Sequence, residues 1–349
     1  MAPMGPSEPH CTGPESPVAH HGRRHAEGRC RMKHPQQGPL IVRLCNWVGE
    51  AVLSLPTLTM LAEQGFELHL IGKRWTIDLF EGHGWQVHVR PAKRADAIRQ
   101  LRSLRTQLGK VHPAFLKRPN IVLLTSSFSS ALEARLAGLK PIGYIKEGRG
   151  LLLSHGVAYQ PGLHAADNYW RIGSDFASVQ QARPRNLGLK PSATHQAQAA
   201  KLISEHGLRP GFIILCPFSG AADTTGKKLW PAFPELVRQL IAQGRQVVLC
   251  PGPGEEAQAQ ADYPSAQILT GVGLGAYAAL SQQAACTVSN DTGPGHLAAA
   301  AGGRVVSVLG PDAAPMWWAQ GDGVTILRPD EGWPELAAVR QAIELATPP

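Results

Sequence analysis

Short, continuous apolar runs alternate along this chain with longer stretches in which apolar positions recur every three or four residues. Leu40 to Leu44 is one such run, and a helical pattern follows it from about Gly49 to Glu63. "FELHLIG", "WQVHVR" and "NIVLLT" read as further strands, separated by helix-like segments. After "KPIGYI" the pattern becomes less regular, and Ser174 to Pro191 has the composition of a linker. The grammar then restarts with a helix at Ser192 to His206, the strand "FIILCPF", the helix "FPELVRQLIAQG" and the strand "QVVLCPG". A helix and the strand "AQILT" follow. Strands alternating with helices at this spacing imply parallel sheets joined by crossover helices. The prediction is an α/β protein of two open domains, 38–190 and 191–349, behind a disordered tail at 1–37. Facing domains of this kind put strand carboxyl ends and their loops on a shared cleft.

The segment "SNDTGPGHLAAAAGG", Ser289 to Gly303, concentrates the polar chemistry. Ala285 to Asn290 suits a buried strand, Pro294 fits the first turn of a helix, and Gly302 and Gly303 end that helix. A further strand is expected at Arg304 to Leu309. The turn between strand and helix exposes backbone N–H groups at the positive end of the helix dipole, which suits a phosphate. Asp291, Thr292 and His296 surround that point. Helix capping alone needs one of the first two and explains neither the second glycine nor the histidine.

Other loops at predicted strand ends carry complementary groups. "SGAADTTGKKLWP" offers two lysines and several hydroxyls ahead of a helix, and an ammonium neutralises phosphate as a point charge. "PGPGEEA" places an acid at a helix start, where it holds a ribose or complements the dipole. "NWVGE" ends the first strand and aims one carboxylate, Glu50, across the cleft. A rival signal is Gly271-Val-Gly273-Leu-Gly275-Ala276, a GxGxxA match with Asp291 twenty residues on. It favours a nicotinamide or flavin cofactor, but its unit is short of the ~30 residues a dinucleotide βαβ requires. No DxD occurs in the chain, so the paired-carboxylate metal site of many transferases is absent from the sequence.

Charge and composition narrow the field. Residues 32–190 hold 21 Lys or Arg against 10 Asp or Glu, whereas residues 191–349 hold 9 against 13. The first half is therefore expected to meet something anionic. No zinc pattern or basic-aromatic interleaving points to nucleic acid. An acidic small molecule or an anionic membrane surface fits. One candidate for membrane contact is Arg94 to Lys110, with Arg99, Arg102 and Arg105 beside an apolar face of Ile98, Leu101, Leu104 and Leu108; an ordinary solvated helix face is the alternative. No apolar run approaches a membrane span, and the first 31 residues lack the apolar core of a signal peptide. Six cysteines without CxxC spacing suit a reducing, cytoplasmic compartment.

At "NWVGEAVLSLP", "KKLWP" and above all "NDTGPGHLAAA", the chain resembles the ADP-heptose:lipopolysaccharide heptosyltransferases of glycosyltransferase family nine. The likeness covers most of residues 40–330, including "SSFSSALEARLAGLKPIGY", and is nearest the heptosyltransferase II branch. It implies a GT-B fold of two Rossmann-like domains. It also implies inverting, metal-independent transfer of heptose from ADP-heptose to an inner-core sugar of lipopolysaccharide, with no cofactor. The partners implied are the nucleotide-sugar donor and an anionic glycolipid at the cytoplasmic face of the inner membrane. Carried over, Asp291 contacts heptose hydroxyls, and Thr292, Gly293 and His296 surround the diphosphate. Lys228 matches the phosphate lysine, Thr224 more loosely a phosphate-binding hydroxyl, Glu255 the ribose acid, and Val272 the adenine contact. Asn46 and Gly49 join the substrate site at the first turn. The family's catalytic aspartate is here Glu50, one methylene longer. This departure leaves two alternatives: a transferase of the same fold with another nucleotide sugar or a protein acceptor, and a non-catalytic nucleotide-sugar binder.

Overall fold

The computed structural model describes residues 37–219 and 228–347. Two six-stranded sheets, parallel throughout, are built in chain order. The first holds β1 (Gly38–Arg43), β2 (Phe66–Gly72), β3 (Gln86–Val89), β4 (Ile121–Leu123), β5 (Pro141–Ile145) and β6 (His155–Ala158). The second holds β7 (Ile213–Cys216), β8 (Val247–Leu249), β9 (Gln267–Ile268), β10 (Cys286–Ser289), β11 (Val305–Val308) and β12 (Val324–Leu327). Their spatial orders are β3-β2-β1-β4-β5-β6 and β12-β11-β10-β7-β8-β9. The same doubly wound order thus occurs twice. In each sheet it reverses beside the first strand, leaving a crevice at that strand's carboxyl end.

The helices between the strands of the first sheet are α1 (Val48–Leu53), α2 (Leu55–Glu63), α3 (Trp75–Phe80), α4 (Arg94–Val111) and α5 (Phe128–Leu136). After β6 come α6 (Ala165–Phe176) and α7 (Ala193–Glu205). The second sheet is accompanied by α8 (Phe233–Ala242), α9 (Glu256–Asp262), α10 (Leu274–Gln283), α11 (Gly293–Ala300) and α12 (Leu336–Ala346). Core strands such as β7 and β10 are buried at every position, which is why they read as unbroken apolar runs.

The chain pattern predicts one helix over 49–63, whereas the structure divides it at Ser54. Ser54 Oγ donates to the Ala51 carbonyl at 2.7 Å, and Pro56 near the start of α2 has no N–H to continue the ladder. The less regular region after β5 also contains more than expected. β6 completes the first sheet, and α6 runs through Ser174 and Asp175, the beginning of the segment read as linker.

The two halves share their largest core, in which Leu53 and Leu58 of the first pack in one cluster with Tyr277 and Leu297 of the second. α4 buries Leu101, Leu104 and Leu108 as its pattern requires. Its arginines stay at the surface and also make local contacts. Arg102 donates to the Leu136 carbonyl at 2.9 and 3.1 Å, Arg105 donates to the Gly138 carbonyl at 2.9 Å, and Arg99 pairs with Asp96. Two of the three hold the carboxyl end of α5, whose last carbonyls lack partners within their own helix. Among the described residues, no helix is long and apolar enough to cross a membrane.

Candidate active site

The carboxyl ends of β1 and β10 meet through the helices that follow them. α1 packs on α11 so closely that a Cβ on Gly49 would lie 3.2 Å from His296 Cδ2. One on Gly293 would lie 3.5 Å from Val48 Cβ. Gly49 therefore acts by leaving room for the His296 ring. Gly295 has the same role one layer deeper, where a Cβ would approach Ser289 Oγ to 2.5 Å.

On the β10 side, Asp291 is the hub. Its Oδ1 lies 3.5 Å from His296 Nε2, and its Oδ2 accepts from Lys228 Nζ at 3.4 Å. Burial pushes the Asp291 carboxyl up, but the opposing His296 and Lys228 interactions prevail and hold it below the usual aspartate range. Neither Asp291 nor Thr292 caps α11 with its side chain; Thr292 occupies the N-cap by backbone alone, and its hydroxyl pairs with Ser289 Oγ at 3.1 Å. Capping therefore does not account for these residues. His296 Nδ1 is buried without a hydrogen-bond partner among the described residues. The chain pattern did not single out Asn290, which sets this geometry. Its amide donates to the Pro217 carbonyl at 2.8 Å, and its oxygen accepts from the Trp230 N–H at 3.0 Å. The loop after β7, two residues from Lys228, is thereby tied to the end of β10.

The remaining predicted donor residues lie on the same edge. Glu255 follows β8 and accepts from the Gly252 N–H at 2.8 Å, closing its own turn. Val272 is half-buried between β9 and α10. Thr224 lies outside the described residues. Asp291, Lys228, Glu255 and Val272 thus follow β10, β7, β8 and β9, four adjacent strands.

The GxGxxA segment is a packing device. The Gly275 N–H at the start of α10 donates to Asp78 Oδ2 of α3 at 3.0 Å, so the first half already supplies this helix end with a carboxylate. Asp78 Oδ1 also lies 3.1 Å from Nε2 of the buried His195. A Cβ on Gly275 would sit 2.1 Å from His195 Cε1. Gly275→Ala is expected to destabilise the fold by ~1–3 kcal/mol through overpacking, read from chemical denaturation. Unchanged stability would restore the fingerprint as a candidate nucleotide site.

On the β1 side lies a cavity of about 310 Å³, lined by loops that follow β1, β4 and β5. Glu50 faces it from the third residue of α1. The expected effect of a helix start is to favour the carboxylate anion. Here burial is the larger influence and raises the Glu50 carboxyl, against the opposing hydrogen bond of the Trp47 N–H. Asn46 Oδ1 accepts from Arg43 at 3.3 Å, which leaves the Asn46 amide donors for the cavity. Behind Glu50, Cys45 Sγ donates to the Tyr169 hydroxyl at 3.3 Å, and the buried Tyr144 hydroxyl has no partner among the described residues. The tyrosines were missed because nothing in their spacing marks a site. Beneath the cavity, the fully buried Arg149 donates to the Thr125 carbonyl at 2.6 Å and the Tyr144 carbonyl at 2.7 Å, fixing the ends of β4 and β5. Burial lowers its guanidinium to about 10.

The family model described as glycosyltransferase family 9 (heptosyltransferase) matches residues 117–343, more than half of the chain. The chain belongs to this family. It is a glycosyltransferase, and its two sheets form the α/β GT-B arrangement. Among solved structures it is similar to a family 9 glycosyltransferase from Veillonella parvula, with 18% identity, coverage of 84% of this chain and 86% of that one, and a TM-score of 0.71. For Escherichia coli ADP-heptose lps heptosyltransferase II the identity is 20%, the coverage 88% and 96%, and the TM-score 0.68. For Escherichia coli heptosyltransferase WaaC with ADP the values are 20%, 89% and 100%, and 0.64. At these identities the structural likenesses speak for the fold. No curated protein sequence matches the chain.

Proposed function

We propose that this family 9 glycosyltransferase transfers heptose, with inversion, from ADP-heptose to an inner-core sugar of lipopolysaccharide. The observation that carries the reading is the order of groups along the second sheet. Asp291, Lys228, Glu255 and Val272 follow adjacent strands, and the groups the family resemblance assigns them (sugar, diphosphate, ribose and adenine) fall in the order of groups along the donor. Strands about 4.8 Å apart spread these contacts over a nucleotide-sized ligand. Across the cleft, the cavity beside Glu50 receives the acceptor. Glu50 takes the proton of the attacking hydroxyl as that oxygen bonds to the anomeric carbon, and the bond to ADP breaks on the opposite face. Lys228, His296 and the backbone N–H groups at the start of α11 stabilise the departing diphosphate.

This assignment needs no metal. The chain has no DxD, and the Asp291 carboxylate already has Lys228 and His296 beside it. Transfer of ADP-heptose to truncated core glycolipids is therefore expected to persist in excess EDTA. Loss of turnover on chelation, restored by magnesium or manganese, would contradict the metal-free mechanism. Tighter binding of UDP or GDP than of ADP would redirect the donor assignment. The basic first half fits an acidic glycolipid on the cytoplasmic membrane face.

A further inference from the structure

The cavity beside Glu50 is lined by the first half of the chain except at Met316 and Trp317, which belong to the segment joining β11 to β12. That segment is strapped to α6 from the first half. His164, the N-cap of α6, accepts the Ala166 N–H on Nδ1 at 3.1 Å, so its proton sits on Nε2 and is donated to the Trp318 carbonyl at 2.9 Å. Arg183 bridges Asp167 Oδ1 at 2.7 Å and Gln320 Oε1 at 3.0 Å. The Trp318 indole is spent on its own loop, donating to the Ala313 carbonyl at 3.2 Å. These ties hold Trp317 at the cavity from the far side.

The other aromatic residues around the cavity have contacts of their own. Lys146 Nζ sits 4.5 Å above the Tyr159 ring, whose other contact is the edge-on Tyr144 at 5.3 Å. Lys73 Nζ lies 5.3 Å from the Trp47 ring, and the Tyr169 hydroxyl is taken by Cys45. Among the described residues, no ring or cation stacks on Trp317. A sugar ring has apolar C–H faces and a polar rim. Trp317 lines the cavity beside polar side chains that can meet the rim, among them Asn46.

We propose that Trp317 is the stacking platform of the acceptor-sugar subsite, a specificity contact lent by the nucleotide-binding half to the acceptor. The proposal rests on the glycosyl-transfer reading above and adds a residue to it. The test is binding, which requires no turnover. Deacylated lipopolysaccharide cores truncated to successive lengths are titrated calorimetrically into the ADP-loaded protein, for wild type, Trp317→Ala and Trp317→Phe. Trp317→Ala is expected to weaken binding of the best core oligosaccharide roughly ten-fold or more, as loss of a buried aromatic anchor does. Trp317→Phe should regain most of that loss, and ADP affinity should be unchanged in both. Equal core affinity in wild type and Trp317→Ala overturns the platform alone. So does a parallel fall in ADP affinity, which would mark Trp317 as a support of the fold. A wild-type protein that binds ADP but no core oligosaccharide overturns the acceptor reading together with it.

Discussion

Glu50→Gln is expected to lower turnover by roughly 10²-fold or more while leaving ADP affinity nearly unchanged. Glutamine keeps the size of the side chain and can still meet the Trp47 N–H, so α1 retains its start. Only basicity is lost. The raised carboxyl makes the wild-type test sharper. Burial disfavours the anion, so the Glu50 pKa lies above the ordinary value of 4.5. The active form is the carboxylate, so kcat should fall as pH drops through that raised value. The same acid limb should vanish from the residual activity of Glu50→Gln. A carboxylate with a raised pKa is also a stronger proton acceptor, which partly answers the weakness of an ordinary carboxylate as a base. Glu50→Asp should retain measurable activity, altered by its shorter reach. Normal turnover in Glu50→Gln would reduce Glu50 to the acid of a helix start.

Asp291→Ala should reduce kcat/KM for the donor by ten-fold or more, and ADP binding should respond differently. Charge-assisted hydrogen bonds contribute roughly 1.5–3 kcal/mol, and the variant loses those that Asp291 would make to the sugar. It also removes a negative charge beside the diphosphate site, where the carboxylate lies 3.4 Å from Lys228 Nζ. ADP alone should therefore bind about as well as to wild type, or better. Lys228→Ala should instead weaken ADP itself, because a point charge opposite the diphosphate is gone. Steady-state kinetics with ADP-heptose and calorimetry with ADP separate the two patterns. Wild-type donor kinetics in Asp291→Ala would remove this residue from the site.

The sequence by itself determined the layered α/β architecture and the location of the chemistry. Unbroken apolar runs such as those at β7 and β10 can be stable only with both faces covered, and the helices between them force parallel pairing. The turn after β10 was equally legible, because a polar cluster between a buried strand and a proline-started helix has few other uses. Short or weakly apolar elements escaped: β6, with its Gly and His, carries too little periodicity to stand out. Local pattern could not supply the neighbours of two further features. The α4 arginines contact the carboxyl end of α5 as well as facing solvent, and the glycine fingerprint, already too short for a dinucleotide unit, is packed against Asp78 and His195. Residues whose meaning depends on a neighbour distant in the chain were decided only by the tertiary structure. Asn290 became a clamp because Pro217 and Trp230 lie beside it, and Trp317 reached the Glu50 cavity because the loop after β11 is strapped across to α6. Burial shifted the Glu50 carboxyl in the same way. A helix start is written in the chain and favours the anion, but the desolvation that raises its carboxyl comes from the packing around it.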